Sequence, residues 1–301
     1  MTLRAQIINI ILRLFEKPTL RRANDPVKLR RSFERKARMM FHPPRGTEFV
    51  RERIGGILCT RVRPPLVPQA TRGPVLLYFH GGGYVFGSAR THRALAAQIG
   101  QRVGCAAVVP DYALAPENPF PAAVNDALGV FTAVAGQVGA DNIIVGGDSA
   151  GGGLALALVG ELLRKAAPCP VAVFAFSPLT DMTFSASSLM QNAESDVLLP
   201  ADRAAEMAAV YLSGDDATDP RASPLYADFS GGPPVWLTVG DREILLDDST
   251  RMADKLRAAG LDVSLNVAQD LPHVWPLFHA LVPEARATLD ELAGWLRMRL
   301  H

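Results

Sequence analysis

No sign of charge dominates this sequence. Its 301 residues carry 31 Lys and Arg against 30 Asp and Glu, a formal net charge of +1. A balance this close gives no electrostatic case for nucleic acid or an anionic membrane as a partner, and uncharged, apolar substrates are the easier match. Cysteine is scarce, with Cys59, Cys105 and Cys169 alone. Cys105 and Cys169 lie in or beside apolar runs, and none of the three has a CxxC or other metal-ligand spacing. Reduced thiols, a cytoplasmic location and no zinc site are therefore expected. Long apolar runs are missing too. The N-terminal stretch from Met1 to Pro18 is interrupted by Arg13, is too short to span a bilayer and is followed by no small-residue cleavage site, which argues against a leader or an anchor. Leu3, Ile7, Ile10, Ile11 and Leu14 share one face at helical spacing. The expectation is an amphipathic helix packed on the protein, with no stable membrane insertion; peripheral membrane contact is the alternative.

What is present is apolar. Hydrophobic residues make up 49% of the chain and charged ones 20%, enough to bury one large core. Residues 1–45 look helical and Arg-rich, broken by Pro18, Pro26 and the Pro43-Pro44 pair. Beyond them short apolar runs alternate with helical periodicity. The pattern predicts strands over 74–79, 105–109, 142–146, 171–176, 235–239 and 263–267, and helices over 94–103, 122–138, 154–166, 245–259 and 284–298. That alternation implies an α/β fold with a mostly parallel sheet covered on both faces. Residues 180–229 are polar, contain one helix-forming stretch and lack strands, as a lid at the carboxyl edge of the sheet would.

Two motifs carry chemistry. Gly147-Asp148-Ser149-Ala150-Gly151 follows one apolar strand and opens a glycine-rich helix. A serine at such a turn is pushed out of the fold, glycines let the backbones pass closely, and the helix N-terminus favours developing negative charge. A phosphate-binding glycine-rich turn is the competing explanation. His80-Gly81-Gly82-Gly83 directly follows the 74–79 strand, and its unshielded N–H groups, with that of Ala150, are candidate oxyanion donors. His80 itself is read as structural.

A serine hydroxyl needs a base. In an α/β-hydrolase the order is Ser, acid, His, which leaves His273, His279 and His301 downstream. His273 sits in a loop after the 263–267 strand, whereas His279 lies in an apolar stretch; His273 is the candidate. The acid must come from the loop after the 235–239 strand, where Asp241, Glu243 and Asp247 all qualify chemically.

With these residues in place the sequence closely resembles the hormone-sensitive-lipase-like esterases, the bacterial family IV of the α/β-hydrolase superfamily. The likeness covers nearly the whole chain. It rests on His80–Gly83, on Asp111 to Val124 (DYALAPENPFPAAV), on Gly147–Gly151, on Ser177-Pro178, on Asp219 to Pro224 (DPRASP) and on His273. The family's acid lies in a D-P-L-x-D-type segment about thirty residues before the histidine, which falls on Glu243 to Asp247 and selects Glu243, with Asp241 as runner-up. Glutamate in place of the family's usual aspartate is one methylene longer, so the loop must retreat.

The resemblance implies cap helices over 1–45 and a cap insertion over 180–229, on a catalytic domain of 46–179 and 230–301. Tyr84, Val85, Phe86, Leu198, Tyr211 and Leu212 are then candidates to line the substrate pocket. The activity implied is hydrolysis of short-to-medium-chain acyl esters by Ser149, His273 and Glu243, with Gly82, Gly83 and Ala150 as oxyanion donors and no cofactor or metal. The implied partner is a small-molecule ester; nucleic acid is not, and the family includes homodimers. An amidase, deacetylase or lactonase of the same fold, or a non-catalytic ligand-binding module, are the alternatives.

Overall fold

A hairpin that the strand–helix alternation passes over opens the sheet. In the computed structural model, which describes residues 1–68 and 73–300, β1 (Glu48–Ile54) and β2 (Ile57–Arg63) pair antiparallel around Gly55-Gly56. Both glycines have positive φ, +59° and +84°, as a two-residue hairpin turn requires. Cross-strand ion pairs join Arg61 to Glu52 and Arg63 to Glu48, and the partly exposed pattern of β1 marks it as an edge. The predicted strands follow as β3 (Val75–Phe79), β4 (Ala106–Pro110), β5 (Ile143–Asp148), β6 (Ala172–Phe176), β7 (Val235–Gly240) and β8 (Val263–Ala268). Their order in the sheet is β1-β2-β4-β3-β5-β6-β7-β8, parallel from β4 to β8. The sheet is thus mostly parallel, flanked by helices.

The helices are α1 (Leu3–Ile11), α2 (Lys17–Arg22), α3 (Pro26–Met40), α4 (Ala89–Val103), α5 (Ala122–Val138), α6 (Ala150–Arg164), α7 (Ser188–Gln191), α8 (Ala204–Leu212), α9 (Leu246–Ala258) and α10 (Pro283–Arg297). One π turn, Leu12–Glu16, joins α1 to α2. Strand period 2 divides the core. Leu77, Phe79 and Val145 face a cluster shared with α5, α6 and α9, whereas Leu76, Tyr78, Ile144 and Phe174 face one shared with α4 and α10. Each large side chain so buried contributes about 1.5–3 kcal/mol. Residues 180–229 contribute no strand and sit as α7, α8 and turns. Cys59 and Cys105 are buried free thiols and Cys169 a half-buried one. His301 lies outside the described residues.

One expectation is reversed. The face of Leu3, Ile7, Ile10, Ile11 and Leu14 points to solvent, and α1 packs through Ala5, Ile8 and, beyond it, Leu12. These three meet Leu271, Trp275, Phe278, Val282 and Ala285. Spacing identified an amphipathic helix correctly but not which apolar stripe faces the protein. Among the described residues no helix is long and apolar enough to cross a membrane.

Gly146, in the strand that leads to Ser149, tests the packing. A Cβ there would lie 2.2 Å from the ring of Phe174, which is fully buried and cannot swing away. Gly146→Ala should cost roughly 1–3 kcal/mol by overpacking, read as a lowered midpoint in urea denaturation; an unchanged midpoint would refute this account of the core.

Candidate active site

Ser149 stands between β5 and α6 with φ +52° and ψ −123°, a conformation a non-glycine residue adopts only when its surroundings impose it. They do. Its N–H donates to Phe176 O at 2.8 Å, and its carbonyl accepts from Gly153 and Leu179 N–H at 3.0 Å each. A Cβ on Gly147 would come within 2.4 Å of Gly151 O, and one on Gly151 within 2.1 Å of Phe79 O. The turn therefore closes against the end of β3 with no room for side chains.

From that same end of β3 runs His80–Gly83. Gly82 and Gly83 have φ of +126° and +59°, and Val85 and Phe86 N–H both return to Gly82 O at 3.0 Å. Ala150 is the first residue of α6, so its N–H has no acceptor within the helix. Arg30 of α3 clamps the loop from outside. Its Nε donates to Val85 O and its Nη2 to Ala115 O, both at 2.7 Å, while its guanidinium pairs with Glu117. His80 is buried, stacks on Tyr112 with centroids 4.2 Å apart, and has Nδ1 2.9 Å from Gly81 O. Burial, with the nearby His92 ring, pushes its pKa down to about 3, so it stays neutral.

His273, after β8, brings Nδ1 to 2.6 Å from Glu243 Oε2. Glu243 Oε1 accepts in turn from Ser177 Oγ at 2.8 Å and from Gly240 N–H at 2.6 Å. Burial alone would drive the imidazole pKa down; the charge and hydrogen bond of Glu243, with Asp196 adding to them, outweigh it and hold the pKa above 6.5. The other acid candidates point elsewhere. Asp241 Oδ1 accepts from Asp270 N–H at 2.8 Å, and Asp247 Oδ2 accepts from Ser187 Oγ and Ser188 N–H. His279 is buried, burial lowering its pKa to about 4.

Ser149, His273, Gly82 and Gly83 open on one cavity of about 380 Å³. Its walls are mostly apolar and come from two stretches outside the sheet. Ile8, Leu12, Leu29, Phe33 and Phe41 supply one side; Phe184, Leu198, Leu199, Met207 and Val210 supply the other. Of the predicted lining residues, Val85, Phe86 and Leu198 face this cavity. Tyr84, Tyr211 and Leu212 do not. The positive φ of Tyr84, +60°, accompanies a buried ring stacked on Tyr211 at 3.9 Å and 12°, and Leu212 packs in the same cluster. These three support the loop and do not line the cavity. Among the described residues no group of three or more His, Cys, Asp or Glu is arranged to hold a metal ion.

Several supporting side chains escaped the sequence reading. Asp148 Oδ1 accepts from Tyr78 OH at 2.6 Å, and its Oδ2 lies 3.3 Å from His92 Nε2. Burial would raise this carboxyl, but His92 and Tyr78 hold it below the usual carboxylate range. Asp196 accepts from Leu198 and Leu199 N–H with one oxygen and from Ile244 N–H with the other. It thereby ties the 192–199 segment to the residue after Glu243. Lys17 Nζ donates to Ala193 O at 2.7 Å and Asp196 O at 2.6 Å. Apart from those of Asp196 with Leu198 and Leu199, these contacts join residues more than 40 positions apart, and neither periodicity nor motif spacing could disclose them.

Comparison with known proteins agrees with this fold. A family model described as "alpha/beta hydrolase fold" matches residues 76–277. An acetyl-hydrolase of Streptomyces hygroscopicus is 35% identical over 76% of this chain and 77% of its own length. Carboxylesterase NlhH of Mycobacterium tuberculosis is 33% identical over 79% of this chain and 77% of its own. Among solved structures, an esterase of the bacterial hormone-sensitive lipase family is 34% identical and superimposes with a TM-score of 0.93, covering 100% of this chain and 99% of that one. Another esterase, soaked with p-nitrophenyl butyrate, is 33% identical with a TM-score of 0.93 over 99% of both chains.

The His273–Glu243 contact makes a titration testable without substrate. The imidazole should protonate above pH 6.5 in the wild type, by NMR of the ring protons. In Glu243→Gln the upward pull of the charge is lost and burial prevails, so the midpoint should fall below 6.5. A midpoint that does not move would show that Glu243 does not set it.

Proposed function

The chain belongs to the bacterial hormone-sensitive-lipase family of α/β-hydrolases, which are carboxylic-ester hydrolases, and on that footing we propose that Ser149, His273 and Glu243 form its catalytic triad. The observation that carries this is the 2.6 Å contact of His273 Nδ1 with Glu243 Oε2 in the wall of the cavity where Ser149 opens. That contact keeps the proton on Nδ1 and leaves Nε2 as the basic nitrogen.

Ser149 Oγ attacks the ester carbonyl as His273 Nε2 takes its proton. The N–H groups of Gly82, Gly83 and Ala150 receive the oxyanion, each worth about 3–4 kcal/mol of barrier lowering. The imidazolium, stabilised by Glu243, then protonates the departing alcohol. Water, deprotonated by the same nitrogen, releases the acid from the acyl-enzyme and restores Ser149. Residues 1–45 and 180–229 act as the cap, and its apolar side chains, with Val85, Phe86 and Leu198, hold the acyl and alcohol groups. A cavity of about 380 Å³ fits a short-to-medium acyl ester. The p-nitrophenyl butyrate used with one structural relative is of that size.

A p-nitrophenyl acyl series from acetate to palmitate tests both parts. Turnover should peak at short or medium chains, and Ser149→Ala should lower kcat by about 10⁶ with an unchanged thermal midpoint. A serine variant that keeps most activity would remove the triad assignment. A maximum at palmitate would remove the closed-cavity account, and cleavage of anilides or lactones faster than any ester would move the reading to an amidase or lactonase.

A further inference from the structure

The outward face of the N-terminal helices is left without a protein partner. Seven of the sixteen large exposed hydrophobic residues of the described chain fall within the first fifteen positions: Met1, Leu3, Ile7, Ile10, Ile11, Leu14 and Phe15. Leu3 is 70% exposed, Leu14 61% and Phe15 63%. A patch this concentrated is unusual on a free soluble surface and marks an interaction site. Charge identifies what it meets. Residues 1–45 hold twelve Lys and Arg against three Asp and Glu, net +9, within a chain of net +1. On the same helical run Arg4 and Arg22 are exposed and have no carboxylate within ion-pair distance among the described residues. The run Leu3–Arg22 itself holds five Lys and Arg against Glu16 alone, so a second copy docked through it would oppose +4 with +4, whereas an anionic surface complements it.

We propose that the run Leu3–Arg22 docks on an anionic phospholipid bilayer, lying in the interface plane with its Leu, Ile and Phe side chains among the acyl chains and its arginines at the headgroups. The near-zero charge of the whole chain conceals this, because residues 46–301 are net −8 and offset the basic segment. The inner side of the same helix, through Ile8 and Leu12 with the half-exposed Ile11 at its margin, lines the cavity that holds Ser149 and His273. Docking there sets that cavity one helix away from the lipid, so an apolar ester dissolved in the bilayer reaches it without crossing bulk water. The helix is too short to span and does not need to; a basic amphipathic segment of this kind binds by apolar burial plus headgroup attraction.

Flotation of the full chain with phosphatidylcholine vesicles, with and without phosphatidylglycerol, tests the proposal. Wild type should float with the anionic vesicles and not with phosphatidylcholine alone. The double variant Ile10→Glu/Leu14→Glu should bind roughly 100-fold more weakly. Arg4→Ser/Arg22→Ser, or raised salt, should weaken binding by about tenfold or more. None of the four positions lines the cavity, so hydrolysis of p-nitrophenyl butyrate in vesicle-free buffer should be unchanged in both variants. Binding is thus read independently of the esterase assignment. The proposal fails if wild type does not float, or if both variants float as well as wild type. It also fails if sedimentation velocity finds a dimer that Ile10→Glu/Leu14→Glu dissociates while no vesicle is bound, since the face would then belong to a second copy.

Discussion

The close approach of two backbones at the carboxyl end of the sheet governs the rest of this molecule. β3 and β5 are parallel neighbours, Phe79 opposite Gly147, so the segments leaving them emerge side by side. One becomes the His80–Gly83 loop, the other the Ser149 turn. The contacts measured at Gly147 and Gly151 allow no Cβ on either, and the gap is closed by carbonyls of Phe79 and His80. A serine forced to φ +52° projects away from that crowding into the cavity. The glycine loop and Ser149 are therefore brought together by sheet register before any side chain contributes.

That register is reinforced from a distance. Asp148, the last residue of β5 and the one before Ser149, reaches back under the loop; a Cβ on Gly81 would lie 2.2 Å from its Oδ2. Tyr78 and His92 hold the carboxylate there. Outside, Arg30 bonds the carbonyls of Val85 and Ala115, and Lys17 bonds those of Ala193 and Asp196. Each of these basic residues comes from the N-terminal helices, and each supplies donors to buried or part-buried carbonyls beside the site. The helices that wall the cavity thus also fix both lips of the site. Loosening them would disturb the glycine loop and the Glu243 loop together.

How far the sequence announced all this depends on the range of the interaction concerned. Turn chemistry is local, so Gly147–Gly151 and His80–Gly83 could be read from consecutive residues. The alternation of strands and helices is nearly local, and the six strands from β3 onward lie within a residue or two of expectation. The β1–β2 hairpin was missed although Gly55-Gly56 between alternating residues is a hairpin signal, because charged residues interrupt its apolar pattern. Chemistry alone left Asp241, Glu243 and Asp247 equal; the thirty-residue spacing singled out Glu243, and the fold brings that side chain to the imidazole. Glycine at 240 and serine at 177 supply the N–H and hydroxyl that anchor its longer carboxylate. The orientation of α1 was illegible for a different reason. Both of its faces are apolar, and only the position of Trp275 and Phe278, set by the far end of the chain, selects the one carrying Ala5 and Ile8.

Two histidines bordering the same backbone crossing illustrate how environment divides roles. His80 and His273 are both buried and both lose hydration on folding. His80 has aromatic rings on its flanks, Tyr112 and His92, and only a carbonyl within 2.9 Å. Burial and the His92 ring outweigh the Gly81 carbonyl and the charge of Asp148, and its pKa falls to about 3. His273 has a carboxylate against Nδ1 and its pKa rises instead. Interchanging the two environments would leave the histidine beside the cavity neutral at every physiological pH, unable to serve the proton transfers proposed for it. Buried imidazole is not itself a catalytic signature; the facing carboxylate, held by Ser177 and Gly240, is what the proposed role of His273 as base rests on.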